Sequence, residues 1–114
     1  MAKGDTVGDF ELYLLAALAH LGDEAYGVTI RATIEERSGR IASLGAVYTT
    51  LERLEEKGYV TFSISQPEAV QGGRSRKHVH LTAAGRRALR HAVESLNGIL
   101  SGLRLGLPGD GLHQ

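Results

Sequence analysis

The chain has 114 residues, no cysteine and no tryptophan, and its 13 basic and 13 acidic side chains give a formal net charge of zero. This length suits one domain with a small core, and the lack of cysteine excludes disulfides, thiolate metal sites and cysteine nucleophiles. The longest apolar run, residues 12–21, is too short to span a bilayer, and the acids Asp5, Asp9 and Glu11 argue against a signal peptide. We therefore expect a soluble cytoplasmic protein with no membrane segment.

Charge is distributed unevenly along the chain. Residues 1–68 have a net charge of −5, and residues 69–114 have a net charge of +5. Between Val70 and Ala92 there is no acid, and the basic side chains there are Arg74, Arg76, Lys77, Arg86, Arg87 and Arg90. A neutral total therefore does not exclude a nucleic-acid partner, because a local basic patch decides such binding.

Three helices are predicted in the first half of the chain. Residues 9–21 form a helix that is apolar nearly all round, so it needs a cover on both sides. Residues 26–37 form the second, with Asp23 as a candidate N-cap and Ser38-Gly39 as its stop. Ser43 caps a third helix over residues 44–57, which Gly58 closes.

The third helix has two different faces. The spacing of Val47, Leu51 and Leu54 predicts that they face the core. The acids of this helix all lie in its C-terminal half, which leaves its N-terminal half free of negative charge. The face opposite the core is predicted to carry Gly45, Ala46, Thr49, Thr50 and Arg53.

A hairpin and a fourth helix are predicted to follow. Residues 59–65 alternate as a strand, residues 78–81 are its partner, and the loop between them carries a proline and a Gly-Gly pair. Thr82 caps a helix from Ala83 to about residue 103, followed by a tail, residues 105–114, that we expect to be disordered. The apolar residues of this helix are spaced as in a coiled-coil seam: Leu89, Ala92, Leu96, Ile99 and Leu103, widened by Val93 and Leu100.

This order of elements predicts a mostly α fold with a small β-hairpin, namely a winged helix-turn-helix with a C-terminal dimerisation helix. The third helix would enter the major groove, since a helix start without acids presents free N–H groups to phosphate and its hydroxyls can bond base edges. The hairpin loop QGGRSRK can approach the DNA backbone closely because its glycines permit tight turns.

Three blocks of sequence resemble one family. GAVYTTLERLEEKGYV (residues 45–60), GGRSRKHVHLTAAGRR (72–87) and YLLAALAHLGDEAYGVTI (13–30) look like the PadR family of bacterial transcriptional regulators, and the resemblance covers roughly residues 10–100. It implies a homodimeric winged-helix repressor whose Tyr48 contacts the DNA backbone and whose wing includes Gly72-Gly73-Arg74. It also implies the smaller type of the family, in which the first and last helices form the dimer interface.

These arguments give two sets of candidate residues and three segments. The predicted DNA contacts are Ser43, Gly45, Tyr48, Thr49, Thr50, Arg53, Gly73, Arg74, Arg76 and Lys77. The predicted dimer contacts are Phe10, Leu14, Leu89, Val93, Leu96, Ile99, Leu100 and Leu103. Residues 9–82 would be the DNA-binding domain, 83–104 the dimerisation helix and 105–114 the tail. The expected partners are double-stranded DNA, a second copy and an unidentified small-molecule effector, with no cofactor and no metal.

Several alternatives stay open. His78 and His80 share one face of a strand, but no further ligand lies at a metal-site spacing, so hydrogen-bonded strand histidines are the better interpretation. Tyr48 can be a partly buried core residue, Arg53 can pair with an acid of its own helix, and the basic loop can be a solvated turn. The sequence shows neither a nucleophile paired with a base nor a phosphate-binding loop, so nothing in it indicates an enzyme. A winged helix that binds protein instead of DNA is the main alternative function.

Overall fold

The computed structural model describes residues 6–64 and 77–105. In chain order they form α1 (Asp9–Leu21), a 3₁₀ turn (Gly22–Glu24), α2 (Gly27–Ser38), α3 (Leu44–Glu56), β1 (Val60–Ile64), β2 (Lys77–Leu81) and α4 (Ala83–Leu100). This is the predicted winged helix-turn-helix followed by a single C-terminal helix. None of the helices in the described ranges is long and apolar enough to cross a bilayer.

Local capping explains where the helices begin. The Ser43 hydroxyl accepts the Ala46 N–H at 3.0 Å at the start of α3, and Thr82 accepts the Gly85 N–H at 3.0 Å at the start of α4. Both caps were predicted. Asp23 is not the cap of α2, because it lies in the 3₁₀ turn and Tyr26 takes that position.

Glycines in the left-handed region end two of the helices. Gly39 has φ 79° after α2, and Gly58 has φ 82° between α3 and β1; both were predicted as stops. The fourth helix is shorter than predicted, since Ser101 leaves the helical region and Gly102 turns with φ 75°.

One apolar core joins the helices to the hairpin. Its buried members are at most 8% exposed and come mainly from α1, α2, α3 and both strands. The largest fully buried side chains are Leu14, Leu15, Ile30, Val47, Leu51, Leu54, Val60 and Val79. Burying this surface is the main force that holds α3 against α1 and α2.

The hairpin is anchored to the helical part of the fold along the outer edge of β2. β1 and β2 pair antiparallel, with Val60 opposite Leu81 and Ile64 opposite Lys77. The Val79 N–H donates to the Ala25 carbonyl at 2.9 Å, and an isolated bridge joins His78 to Tyr26. The base of the wing is therefore hydrogen-bonded to the segment that starts α2.

The start of α4 is fixed against the start of β1. The Thr82 hydroxyl donates to the Gly58 carbonyl at 2.7 Å, and the Thr82 N–H donates to the Tyr59 carbonyl at 3.1 Å. Gly85 is buried there, and an added Cβ would overlap the Tyr59 carbonyl oxygen. The remaining length of α4 runs away from the hairpin with most of its side chains exposed.

Candidate DNA-binding and dimer surfaces

The N-terminal half of α3 presents a small, acid-free surface. Gly45, Ala46 and Thr49 are exposed, and no acid lies in the first turn. The acids Glu52, Glu55 and Glu56 are confined to the other end of the helix. The positive end of the helix dipole therefore faces solvent without a compensating carboxylate, which favours an anion.

Tyr48 lies at the junction of α3 with the start of α2. Its side chain is half-buried, and its ring lies so close to Gly27 that an added Cβ would overlap the phenol. Gly27 is the first residue of α2, whose first turn also lacks acids. The Tyr48 side chain of α3 therefore packs against the first residue of α2. Gly27 is not among the residues predicted from the sequence, and the Tyr26-Gly27 pair in one of the family-like blocks is the feature that pointed to it.

Thr50 was predicted to lie on the exposed face of α3 and to contact DNA. The structure places it in the core, so this prediction is wrong. Its side chain is buried at 5% exposure, and its hydroxyl donates to the Ala46 carbonyl at 2.9 Å. Thr50 is three residues after Val47 and four before Leu54, so it continues the core stripe of the helix. A backbone carbonyl one turn away satisfies the hydroxyl, which is why a threonine can occupy this position.

Arg53 is exposed on the same helix as Tyr48. Within residues 6–64 and 77–105 it forms no ion pair with an acid of α3, so its charge is not neutralised there by its own helix. Its role as a DNA contact stays a prediction.

The described part of the wing ends in a positive charge. Lys77 is exposed opposite Ile64, with its Nζ 4.3 Å from the centroid of the Phe62 ring. The other predicted wing contacts, Gly73, Arg74 and Arg76, lie outside the described residues. Lys77 is therefore the basic side chain of this part of the sequence that lies within the described residues.

The two strand histidines have partners of their own. His80 Nε2 lies 2.7 Å from the Ser63 hydroxyl, and His78 Nδ1 lies 3.2 Å from the Asp23 carbonyl. The His78 ring also meets the Tyr26 ring edge-on at 5.6 Å. These contacts support the interpretation of both residues as hydrogen-bonded strand histidines. No group of three metal-ligating side chains occurs in the described ranges.

The seam of α4 is an exposed apolar surface in the single chain. Val93 is 40% exposed, Leu96 is 44% and Ile99 is 76%, while Leu89 and Leu100 are partly covered. Leu103, at 37%, lies just beyond the end of the helix. A row of large apolar side chains at this spacing is typical of a helix that packs on another chain.

Grooves flank this seam on both sides. One, of about 970 Å³, lies between the segment before α1 and α4 and includes Val7, Leu12, Leu96 and Ile99. The other, of about 250 Å³, lies between α1 and α2 and is reached by Val93. The apolar seam is therefore continuous with apolar surface on α1.

Two of the predicted dimer residues have other contacts within the chain. Leu14 is fully buried in the core of its own domain, so its assignment to the interface is wrong. Phe10 is half-buried, and the Arg40 guanidinium lies over its ring at 4.6 Å. The sequence predicted that α1 is buried on two sides. It did not indicate which apolar residues of α1 face the core of the domain and which face the second surface.

A comparison with known sequences identifies the family. The sequence profile of the transcriptional regulator PadR-like family matches residues 14–91. The chain belongs to the PadR-like family. The resemblance deduced from the three sequence blocks is thereby confirmed. Curated protein sequences provide no match to the chain.

Solved structures of PadR-like and other winged-helix proteins share the fold. A PadR family transcription regulator from Clostridium difficile R20291 aligns with a TM-score of 0.70 and 28% identity, covering 81% of this chain and 91% of that one. F93 from STIV, a winged-helix DNA-binding protein, aligns with a TM-score of 0.63 and 20% identity over 82% and 92% of the two chains. Bacillus subtilis PadR in complex with operator DNA aligns with a TM-score of 0.60 and 19% identity over 90% of this chain and 54% of that one.

Proposed function

We propose that this PadR-like chain is a cytoplasmic, homodimeric protein that binds DNA sequence-specifically and represses transcription. One observation carries the proposal: the acid-free starts of α2 and α3 meet at the Tyr48–Gly27 contact, and the wing base is bridged to the same segment through Tyr26 and His78. Three groups suited to phosphate and base contacts thus converge on one surface.

On this surface the residues have distinct roles. Ser43, Gly45 and Thr49 lie at the exposed start of α3, where backbone N–H groups and hydroxyls can meet phosphate or base edges. The Tyr48 hydroxyl would donate to a backbone phosphate. Lys77 and the basic loop that follows Ile64 would neutralise phosphates beside the major groove.

Homodimerisation would use the seam of α4 and the neighbouring surface of α1. Leu96 and Ile99 are large and exposed in one chain, so a second copy would remove them from water. Two-fold symmetry would place two α3 helices in successive major grooves, on half-sites about 10 bp apart or a multiple of that. Residues 83–104 would then serve dimerisation and residues 9–82 DNA binding.

Release from DNA would follow a signal that changes the angle between the subunits. An effector achieves this only if it binds the two arrangements with unequal affinity. The bound dimer would block transcription of a neighbouring operon until that signal arrives.

The test is fluorescence anisotropy of a labelled duplex from the region upstream of the gene, beside a scrambled duplex, at several salt concentrations. We expect preference for the native duplex and a steep loss of affinity with salt, because binding releases counterions. Replacing Arg74 and Arg76 with alanine should weaken binding to both duplexes alike and reduce the salt slope by roughly 2. Absence of binding at low salt would refute the proposal and favour a winged helix that binds protein.

A further inference from the structure

A nearly buried ion pair joins α1, which would contribute to the dimer interface, to α3, the helix proposed for DNA recognition. Lys57, the C-cap of α3, places its Nζ 2.8 Å from Oε1 of Glu11 in the first turn of α1. The two side chains are 20% and 9% exposed. The same Nζ donates to the Thr6 carbonyl at 2.6 Å, and the Gly8 N–H donates to the same carboxylate oxygen at 2.8 Å.

The carboxylate of this pair is held in its charged form. Burial raises the pKa of Glu11, but the hydrogen bonds from Lys57 and from the Gly8 N–H, with the charges of Lys57 and Arg53, outweigh it. The pKa of Glu11 therefore lies below its ordinary value. At neutral pH the contact is a charge-assisted hydrogen bond, which is shorter and stronger than a neutral one and, like every hydrogen bond, depends on the angle at which its partners meet.

Directionality matters because the other contact between these helices is apolar. Leu14, Leu18, Val47 and Leu51 belong to one buried cluster that holds α1 against α3. Apolar burial is non-directional, so it fixes the separation of two helices better than their rotation. In residues 6–64 and 77–105, no other side-chain hydrogen bond or ion pair links α1 to α3.

We propose that Glu11 and Lys57 are positioning residues for DNA recognition, whose contact sets the angle of α3 relative to α1 and α4 and thereby the half-site spacing that the dimer accepts. This inference rests on the proposed function. Through this contact, the geometry of the dimer would determine how the two recognition helices are oriented.

The Glu11–Lys57 contact and its hydrogen bond to Thr6, here called the joint, also adjoin the surface on which the second copy would lie. Thr6 and Val7 form one wall of the 970 Å³ groove beside Leu96 and Ile99. Lys57 is bonded to the Thr6 carbonyl, so a shift of this wall displaces one of the two acceptors that hold the end of α3. The Lys57–Thr6 hydrogen bond therefore connects the end of the recognition helix to a wall of the groove that the seam of α4 also lines.

The variants for the test separate charge, stability and position. Glu11→Gln keeps an acceptor for the Gly8 N–H but removes the charge, and Lys57→Gln removes the other partner. Lys57→Arg keeps charge and donors. Asp9→Asn is the matched control, because it breaks the exposed Asp9–Arg40 pair (3.7 Å) of the same helix. Ile34→Val controls for a loss of core stability elsewhere.

The first readout needs no DNA. The chain has no cysteine, so Glu52→Cys on the exposed C-terminal half of α3 gives one spin label per protomer. Pulsed electron paramagnetic resonance then measures the distance between the two recognition helices of a dimer. We expect one narrow distribution in the otherwise unaltered protein, in Asp9→Asn and in Lys57→Arg, and a broadened one in Glu11→Gln and Lys57→Gln. An unchanged width in the last two variants would overturn the inference.

The second readout is the tolerance of half-site spacing. Duplexes selected by the unaltered protein from a random library are remade with one base pair added or removed between the half-sites. We expect the unaltered protein to prefer its native spacing about tenfold and Glu11→Gln about threefold or less, with equal binding to a scrambled duplex. Lys57→Arg, Asp9→Asn and Ile34→Val should keep the full preference.

The outcomes distinguish this inference from the proposed function. If the unaltered protein binds no duplex at low salt, the proposed function fails. If it binds with a spacing preference that Glu11→Gln retains, or that Ile34→Val loses equally, the positioning role fails and DNA binding stands. A folded Glu11→Gln or Lys57→Gln, checked by circular dichroism, is sufficient for either result.

Discussion

Replacing Gly85 with alanine should destabilise the protein although it places a better helix former in α4. Gly85 is the third residue of the helix, and its added Cβ would overlap the carbonyl oxygen of Tyr59 and lie 3.1 Å from Leu81 Cδ1. The oxygen is backbone and also accepts the Thr82 N–H, so it cannot swing aside as a side chain would. The start of α4 would have to move off the hairpin.

The magnitude follows from two opposing effects. Glycine to alanine inside a helix gains at most about 1 kcal/mol, whereas overpacking against an immobile neighbour costs up to about 3 kcal/mol. We therefore expect the free energy of unfolding to fall by about 2 kcal/mol, which corresponds to a melting temperature lower by roughly 8 °C for a chain of this size.

The same helix provides the control. At Gly98 an added Cβ meets nothing within 4 Å, so Gly98→Ala should gain up to about 1 kcal/mol. Urea unfolding followed by circular dichroism measures both variants, at one fixed protomer concentration because the stability of a dimer depends on concentration. A Gly85→Ala protein as stable as the unaltered one would refute the close approach of α4 to the hairpin.

Three further results are expected. Leu96→Asp should convert the dimer to a monomer in sedimentation, whereas Asn97→Asp, the same charge on the next exposed position, should not; a dimeric Leu96→Asp would show that the interface lies elsewhere. Gly27→Ala should push the Tyr48 ring aside and lower affinity for every duplex while the circular dichroism spectrum is retained, and unchanged affinity would remove Tyr48 from the DNA surface. The lowered pKa of Glu11 stabilises the fold above the ordinary carboxyl pKa, and this contribution is lost as pH falls through the lower folded-state pKa. Across that acidic range the urea midpoint of Glu11→Gln should therefore vary less with pH than that of the unaltered protein.

The sequence by itself determined the order of elements and most of their boundaries. Ser43 and Thr82 cap the helices where predicted, and Gly39 and Gly58 end them. These features depend on residues within one turn of each other, so they can be predicted without the rest of the chain. The family could be recognised for a related reason, since three short blocks of sequence resemble it.

Where a single helix offers several apolar faces, the sequence did not decide which one is buried. Leu14 was predicted at the dimer interface and lies in the core, because α1 is apolar on more than one side and only packing selects a face. Thr50 was predicted on the exposed face of α3, yet it is buried, and its spacing from Val47 and Leu54 matches the core stripe.

Only the tertiary structure decided which distant residues meet. Tyr48 packs on Gly27, Gly85 abuts Tyr59, and Glu11 pairs with Lys57 across 46 positions of the chain. Such contacts depend on the relative rotation of packed helices. That rotation depends on side chains that are far apart in the chain, so no local pattern of residues encodes it.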